Sequence, residues 1–94
     1  MSRPIVLITG ASRGIGRALA LSFGRAGHVV AVNYRTRRAE AESVLAELKG
    51  MGAEADLFPA DISHPAQAIG LIESVVKKWG RIDGLINNAG VSRD

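Results

Sequence analysis

Short apolar runs alternate along this chain with longer stretches of helical period, and that alternation restricts it to very few folds. "PIVLIT" (residues 4–9) is apolar almost throughout, rich in β-branched residues and bounded by Gly10, the pattern of a parallel strand covered on both faces. In the next segment Ile15, Leu19 and Phe23 recur at four-residue spacing, flanked by Ala18, Leu21 and Ala26, and Gly27 supplies a stop. That spacing predicts a helix with Ile15, Leu19 and Phe23 on its buried face. "HVVAVNY" (28–34) reads as a second strand, and Val44, Leu45, Leu48 and Met51 mark one face of a second helix ended by Gly50 and Gly52. "EADLFPAD" (54–61) gives a third, shorter strand, weakened toward its end by Pro59. Ser63 is the expected N-cap of a third helix, lined on one side by Ile69, Ile72, Val76 and Trp79 and stopped by Gly80. "IDGLINNAG" (82–90) holds a fourth strand and its exit loop.

The order is therefore β-α-β-α-β-α-β. Strands separated by helical crossovers must lie parallel, and right-handed crossovers lead to a doubly wound α/β sheet of Rossmann type, with expected strand order 3-2-1-4. At 94 residues the chain has room for one core, so residues 1–94 are read as part of a single domain. With 47% hydrophobic and 22% charged residues, disorder and fibrous repeats are excluded. The absence of cysteine excludes a disulfide scaffold and a Cys-ligated metal, and His28 and His64 stand apart, so no metal site is expected. The apolar part of "MSRPIVLITG" is shorter than the ~7–15 residues of a secretory signal core, and no run approaches the ~18 of a membrane span. A soluble, cytoplasmic protein with no membrane partner is expected. Net charge is only +3, aromatic residues are scarce, and the arginines gather at one spot rather than along a stripe, which argues against nucleic acid.

The turn "TGASRGIG" (9–16) lies where the first strand hands over to the first helix. Such a turn bares the first N–H groups of the helix, which have no intrahelical acceptor and carry the positive end of its dipole; an anion fits there. Gly10 lets the chain turn sharply out of the strand, Gly14 removes a side chain where a phosphate approaches, and Gly16 lets the helix lie close to the sheet. Ser12 and Arg13 add a hydroxyl and a positive charge at the mouth, beside Ile15. The spacing differs from the commoner Gly-x-Gly-x-x-Gly fingerprint, but its place at the start of a βαβ unit is the one the mechanism requires.

"TGASRGIG", together with "NNAG" (87–90) after the fourth strand and "ADI" (60–62) between them, resembles the paired N-terminal signatures of the short-chain dehydrogenase/reductase family. Within it, "GASRGIGRA" and "NNAGVSRD" most resemble 3-oxoacyl-carrier-protein reductases and acetoacetyl-CoA reductases. The resemblance implies a reductase of a 3-oxoacyl thioester on a carrier protein or coenzyme A, of the kind used in fatty acid biosynthesis, assembled as a homotetramer. It covers the whole chain but only the N-terminal part of a typical member of ~250 residues, so the chain is expected to be the nucleotide-binding part of such a domain.

An NAD site carries an acid about 20 residues after the glycines for the adenosine ribose, whereas an NADP site places a cation for the 2′-phosphate. Asn33 stands where an Asp would mark NAD; Tyr34 follows, then Arg35, Arg37 and Arg38. Arg13 and Arg35 would give a phosphate charge-assisted hydrogen bonds, so NADP(H) is preferred over NAD. Arg37 and Arg38 also read as solvated first-turn residues of the second helix. The resemblance implies that Asp61 accepts from the adenine amino group beside the Ile62 backbone, although Asp61 also reads as a helix cap. It further implies that Asn88, Ala89 and Gly90 line the cofactor ribose while Asn87 braces neighbouring strands. The family's proton-donating Tyr, its Lys four residues on, its Ser and its relay Asn are expected beyond residue 94. Tyr34 belongs to the adenosine end and Ser92 follows the nucleotide loop too closely, so no catalytic residue is assigned here. The competing reading is a free-standing, non-catalytic dinucleotide-binding or interaction module that pairs through the edge of its fourth strand.

Overall fold

In a computed structural model, residues 3–89 are described. The elements follow one another as β1 (Ile5–Ile8), α1 (Gly14–Arg25), β2 (Val29–Tyr34), α2 (Arg38–Gly50), β3 (Ala55–Pro59), α3 (Pro65–Trp79) and β4 (Gly84–Ile86). All four strands are parallel and ordered β3-β2-β1-β4. Val6 lies opposite Val30 on one flank and Gly84 on the other, in a register that carries Ile8 to Val32 and Ile86.

Strand alternation divides the core in two. Val6, Ile8, Val30 and Val32 face Ala20 and Leu21 of α1 and Val44 and Leu48 of α2. Ile5, Leu7, Val29, Ala31 and Phe58 face Leu71 and Val75 of α3. The sheet is thus covered on both sides, and the continuous apolar runs of β1 and β2 are explained. No described helix is long and apolar enough to cross a membrane, and no cluster of metal-ligating side chains occurs among the described residues.

Two helices turn a different face inward from the one their spacing predicts. In α1 the buried residues are Gly16, Ala20, Leu21 and Gly24, whereas Ile15 is 63% exposed and Leu19 and Phe23 lie at the margin of the core. Small residues take the contact line: Gly16 rests on the turn after β1 and beside Asn88, and Gly24 lies against Leu48 of α2 and against Met51 and Ala53. In α3 the buried stripe is Leu71 and Val75, continued by the partly buried Trp79, while Ile69, Ile72 and Val76 are exposed. This helix is apolar on two stripes, and the stripe that meets Leu7 and Phe58 is the one shared with Trp79, whose ring sits edge-on to Phe58 at 5.6 Å. Nor does Ser63 cap α3: the N-cap position is His64, without a side-chain cap, and the Ser63 hydroxyl instead donates to Asp61 Oδ1 at 2.6 Å. β4 spans only the three residues between Asp83 and Asn87, and Asp83 fastens the junction below it: its Oδ2 accepts from the Ile5 N–H at 2.7 Å, and its own N–H donates to the Ile5 carbonyl at 2.8 Å.

Candidate functional site

The loops that follow β1, β2, β3 and β4 meet at the carboxyl edge of the sheet, where α1 leaves toward one face and α3 lies on the other. Ligands of open α/β sheets bind in the crevice made where successive connections part in this way.

The turn after β1 is set by its glycines. Gly10 has φ +61°, and a Cβ there would come within 3.1 Å of the Ala89 Cα. At Gly16 a Cβ would lie 2.1 Å from the Gly10 carbonyl oxygen and 2.6 Å from Asn88 Nδ2, so the first turn of α1 rests directly on the backbone that leaves β1. Gly14 also has positive φ, with open space around it. The N-terminus of α1 has Arg13 as its N-cap, no side-chain cap hydrogen bond and no acidic residue in its first turn. Its leading N–H groups therefore keep their positive partial charge available to an anion. Arg13, Gly14 and Ile15 are exposed at this end, while Ser12 is buried beneath it.

The turn is fastened from below by polar side chains. Asn88, 3% exposed, donates from Nδ2 to the Gly10 carbonyl at 3.0 Å. Thr9 Oγ1 accepts from the Ala89 N–H at 3.1 Å and donates toward Asn87 Oδ1, 3.2 Å away. Asn33 Oδ1 accepts from the Gly10 N–H at 3.3 Å, and the Ala11 N–H donates to the Asn33 carbonyl at 2.9 Å. The structure thus brings "TGASRGIG", Asn33 and "NNA" together. Gly90, the last of the expected site residues, lies outside the described residues.

The expected adenosine side divides into buried and exposed groups. Tyr34 is buried, and its hydroxyl accepts from Arg38 Nη1 at 3.1 Å. Arg38 also pairs with Glu42 and Arg37 with Glu40, so both arginines have carboxylate partners on their own helix. Arg35 is exposed. Asp61 Oδ1 accepts from the hydroxyl and the N–H of Ser63, which hold its carboxyl below the ordinary carboxylate range with smaller help from the charges of His64 and Arg35. Ile62 is half-buried against the α3-side core.

Sequence reasoning did not single out Thr9 or Gln67, whose Oε1 accepts from the Asp61 N–H at 2.7 Å. For Thr9 a signal existed: a side chain that both donates and accepts, placed at a strand end just before the first glycine, can join that strand to the loop after the next one in space.

Comparison with known proteins agrees with this arrangement. A family model described as short chain dehydrogenase matches residues 4–94. The 3-oxoacyl-(acyl-carrier-protein) reductase FabG of Staphylococcus aureus is 42% identical over 88 residues, which cover 94% of this chain and 36% of that protein. The chain thus spans about a third of the length of the curated relatives it matches. Among solved structures, a short-chain dehydrogenase/reductase from Burkholderia xenovorans superposes with a TM-score of 0.89 at 38% identity, over 93% of this chain and 36% of that one. A dehydrogenase from Burkholderia cenocepacia with bound NADP gives 0.86 at 31% identity, over 92% of this chain and 34% of that one. An NADH-dependent reductase complexed with NAD gives 0.84 at 35% identity, over 92% and 36%.

Proposed function

The chain belongs to the short-chain dehydrogenase family, and from that premise we propose that residues 1–94 are the nucleotide-binding part of a longer domain that reduces a 3-oxoacyl thioester with NADPH. The observation that carries the reading is the α1 N-terminus: uncapped, free of acidic residues in its first turn, and pressed by Gly16 onto the Gly10 carbonyl. A pyrophosphate fits such a cradle, because N–H groups and a helix dipole supply its positive partner without a side chain in the way.

In this reading the leading N–H groups of α1 hold the pyrophosphate, with Ser12, Arg13 and Ile15 around it. Arg13 and Arg35, both exposed at the mouth, hold the 2′-phosphate. Asp61, kept ionised by Ser63, accepts from the adenine amino group beside Ile62, and Asn88, Ala89 and Gly90 line the ribose. When bound, the coenzyme supplies a hydride to the carbonyl carbon of the substrate. In this reading Tyr34, buried at the end of β2 on the adenosine side, is not the source of the matching proton; the proton donor and the thioester pocket are assigned to the part of the domain beyond these residues. The thioester substrate, on a carrier protein or coenzyme A, follows from likeness to FabG, whose name specifies an acyl-carrier-protein substrate. A homotetrameric assembly in the cytoplasm accompanies that reading.

Titration calorimetry of the intact polypeptide with NADPH and NADH tests it. NADPH is expected to bind at least about tenfold more tightly, since hydrogen bonds to a charged group contribute roughly 1.5–3 kcal/mol. Arg35→Asp should abolish that preference. Equal affinity for the two coenzymes overturns the NADP assignment, and uptake of neither overturns the site.

A further inference from the structure

β3 stands at one end of the sheet order, with β2 on one side and no strand on the other among the described residues. In a parallel ladder successive residues turn their N–H and C=O groups to opposite sides. The Val30 N–H donates to the Glu54 carbonyl and the Ala60 N–H to the Tyr34 carbonyl, both at 3.0 Å, so Asp56 and Phe58 turn their backbone groups toward β2. Ala55, Leu57 and Pro59 therefore turn theirs to the free edge. A row of unpaired N–H and C=O groups at such an edge is a template for another strand. Here the row is broken at two of its three donor positions. Pro59 has no N–H to offer. The Leu57 N–H donates to Asp56 Oδ1 at 2.8 Å.

The Asp56 carboxylate is itself held in place. Strand alternation puts it on the α3 face of the sheet with Phe58, and Lys78 Nζ of α3 stands 3.0 Å from its Oδ2. Burial works to raise its pKa, but the Lys78 ammonium and the Leu57 N–H, with smaller help from the charge of Lys49, hold it below the ordinary carboxylate range. The acceptor on Leu57 is therefore ionised at neutral pH. We infer that β3 is a guarded edge: Asp56, anchored by Lys78, and Pro59 deny a second copy of this chain the consecutive donors it needs to add a strand there, so that strands join this sheet only at β4. A strand laid along β3 would bring a carbonyl to the place where Asp56 Oδ1 already accepts. Displacing the carboxylate exchanges a charge-assisted hydrogen bond for a neutral one, which is roughly half as strong. None of these groups belongs to the coenzyme site, so the guard stands apart from the function proposed above.

The test compares wild type, Asp56→Asn, Asp56→Ala and the double variant Asp56→Ala/Pro59→Val in the intact polypeptide. Amide exchange at Leu57 reads the cap, and sedimentation velocity at matched micromolar concentrations reads association. In Asp56→Ala the Leu57 amide should exchange about tenfold faster, for the loss of a hydrogen bond to a charged acceptor. Asp56→Asn keeps an acceptor for Leu57 and should stay close to wild type in both measurements. The double variant restores all three outward donors, so its weight-average mass should exceed that of wild type and rise with concentration. As it does, the amides of Ala55 and Leu57 should become protected, which places the new contact on β3. Unchanged Leu57 exchange in Asp56→Ala overturns the cap. A folded double variant with the mass of wild type, or one that associates without protecting Ala55 and Leu57, overturns the guarded edge. Should the double variant fail to fold, Leu57 exchange in Asp56→Ala against Asp56→Asn decides: equal rates in the two overturn the role of the carboxylate.

Discussion

Gly16 and Gly14 stand two residues apart in one turn and are held to glycine by different forces. A methyl at Gly16 would lie 2.1 Å from the backbone oxygen of Gly10, which has no side-chain freedom with which to yield. Gly16→Ala is therefore expected to push α1 off the turn, at a cost of about 3 kcal/mol or more. In a domain of this size that lowers the melting temperature by at least ~10 °C. At Gly14 the surroundings are open and only φ +61° resists a side chain, so Gly14→Ala should cost about 1–2 kcal/mol. Thermal melts of the two variants check the order; a milder loss at Gly16 than at Gly14 contradicts the close approach. The glycines were legible in the sequence because turn chemistry is local. The side chains that fasten the turn were less so: Asn33 meets Phe58 and Ala60, and Asn88 meets Gly10, across separations that only the folded sheet brings together.

The junction between β1 and β4 depends on Asp83, whose carboxylate accepts from the Ile5 N–H and pairs with Arg81. The Ile5 N–H, then Arg81, hold this carboxyl below the ordinary carboxylate range. A depressed pKa in the folded state means that the contribution is present above the unfolded-state value of about 3.9 and is lost as pH falls through the folded one. Asp83→Asn, which keeps an acceptor for Ile5 but no charge for Arg81, should be less stable than wild type at neutral pH. It should also lose less stability between about pH 5 and pH 3. Urea melts across that range check the slope; equal slopes for the two proteins contradict the assignment. The elements themselves were legible wherever a run was buried on both sides, as in β1 and β2, because a continuous apolar strand has one reading once helices flank it. Helix faces were not. In α3 two apolar stripes compete, and the stripe that wins is chosen by the shape of Leu7, Phe58 and Trp79 rather than by periodicity. In α1 the small-residue line Gly16, Ala20 and Gly24 carries little hydrophobic signal, yet its glycines are what let the helix lie against the Gly10 turn at one end and against Leu48 of α2 at the other.

Across the whole molecule, apolar surface is distributed unevenly. The α1 and α2 layer covers its side of the sheet with two helices, whereas the other side has α3 alone among the described residues. Leu85 pairs in register with Leu7 and so points to the α3 side, where it is 55% exposed, and α3 turns Ile69, Ile72 and Val76 to solvent on that same side. The outer edge of β4 pairs with no strand among the described residues. An apolar face beside an unpaired edge favours association. A polypeptide comprising residues 1–94 alone is accordingly expected to bind second copies of itself, with a weight-average mass in sedimentation velocity that rises with concentration over the micromolar range. Leu85→Lys places a charge on both the face and the edge strand and should return the mass toward that of a monomer. It should leave the coenzyme dissociation constant unchanged, because position 85 lies below the loops that form the site. A wild-type fragment that stays monomeric at every concentration, or a Leu85→Lys fragment that associates as strongly as wild type, would show that this face does not drive association.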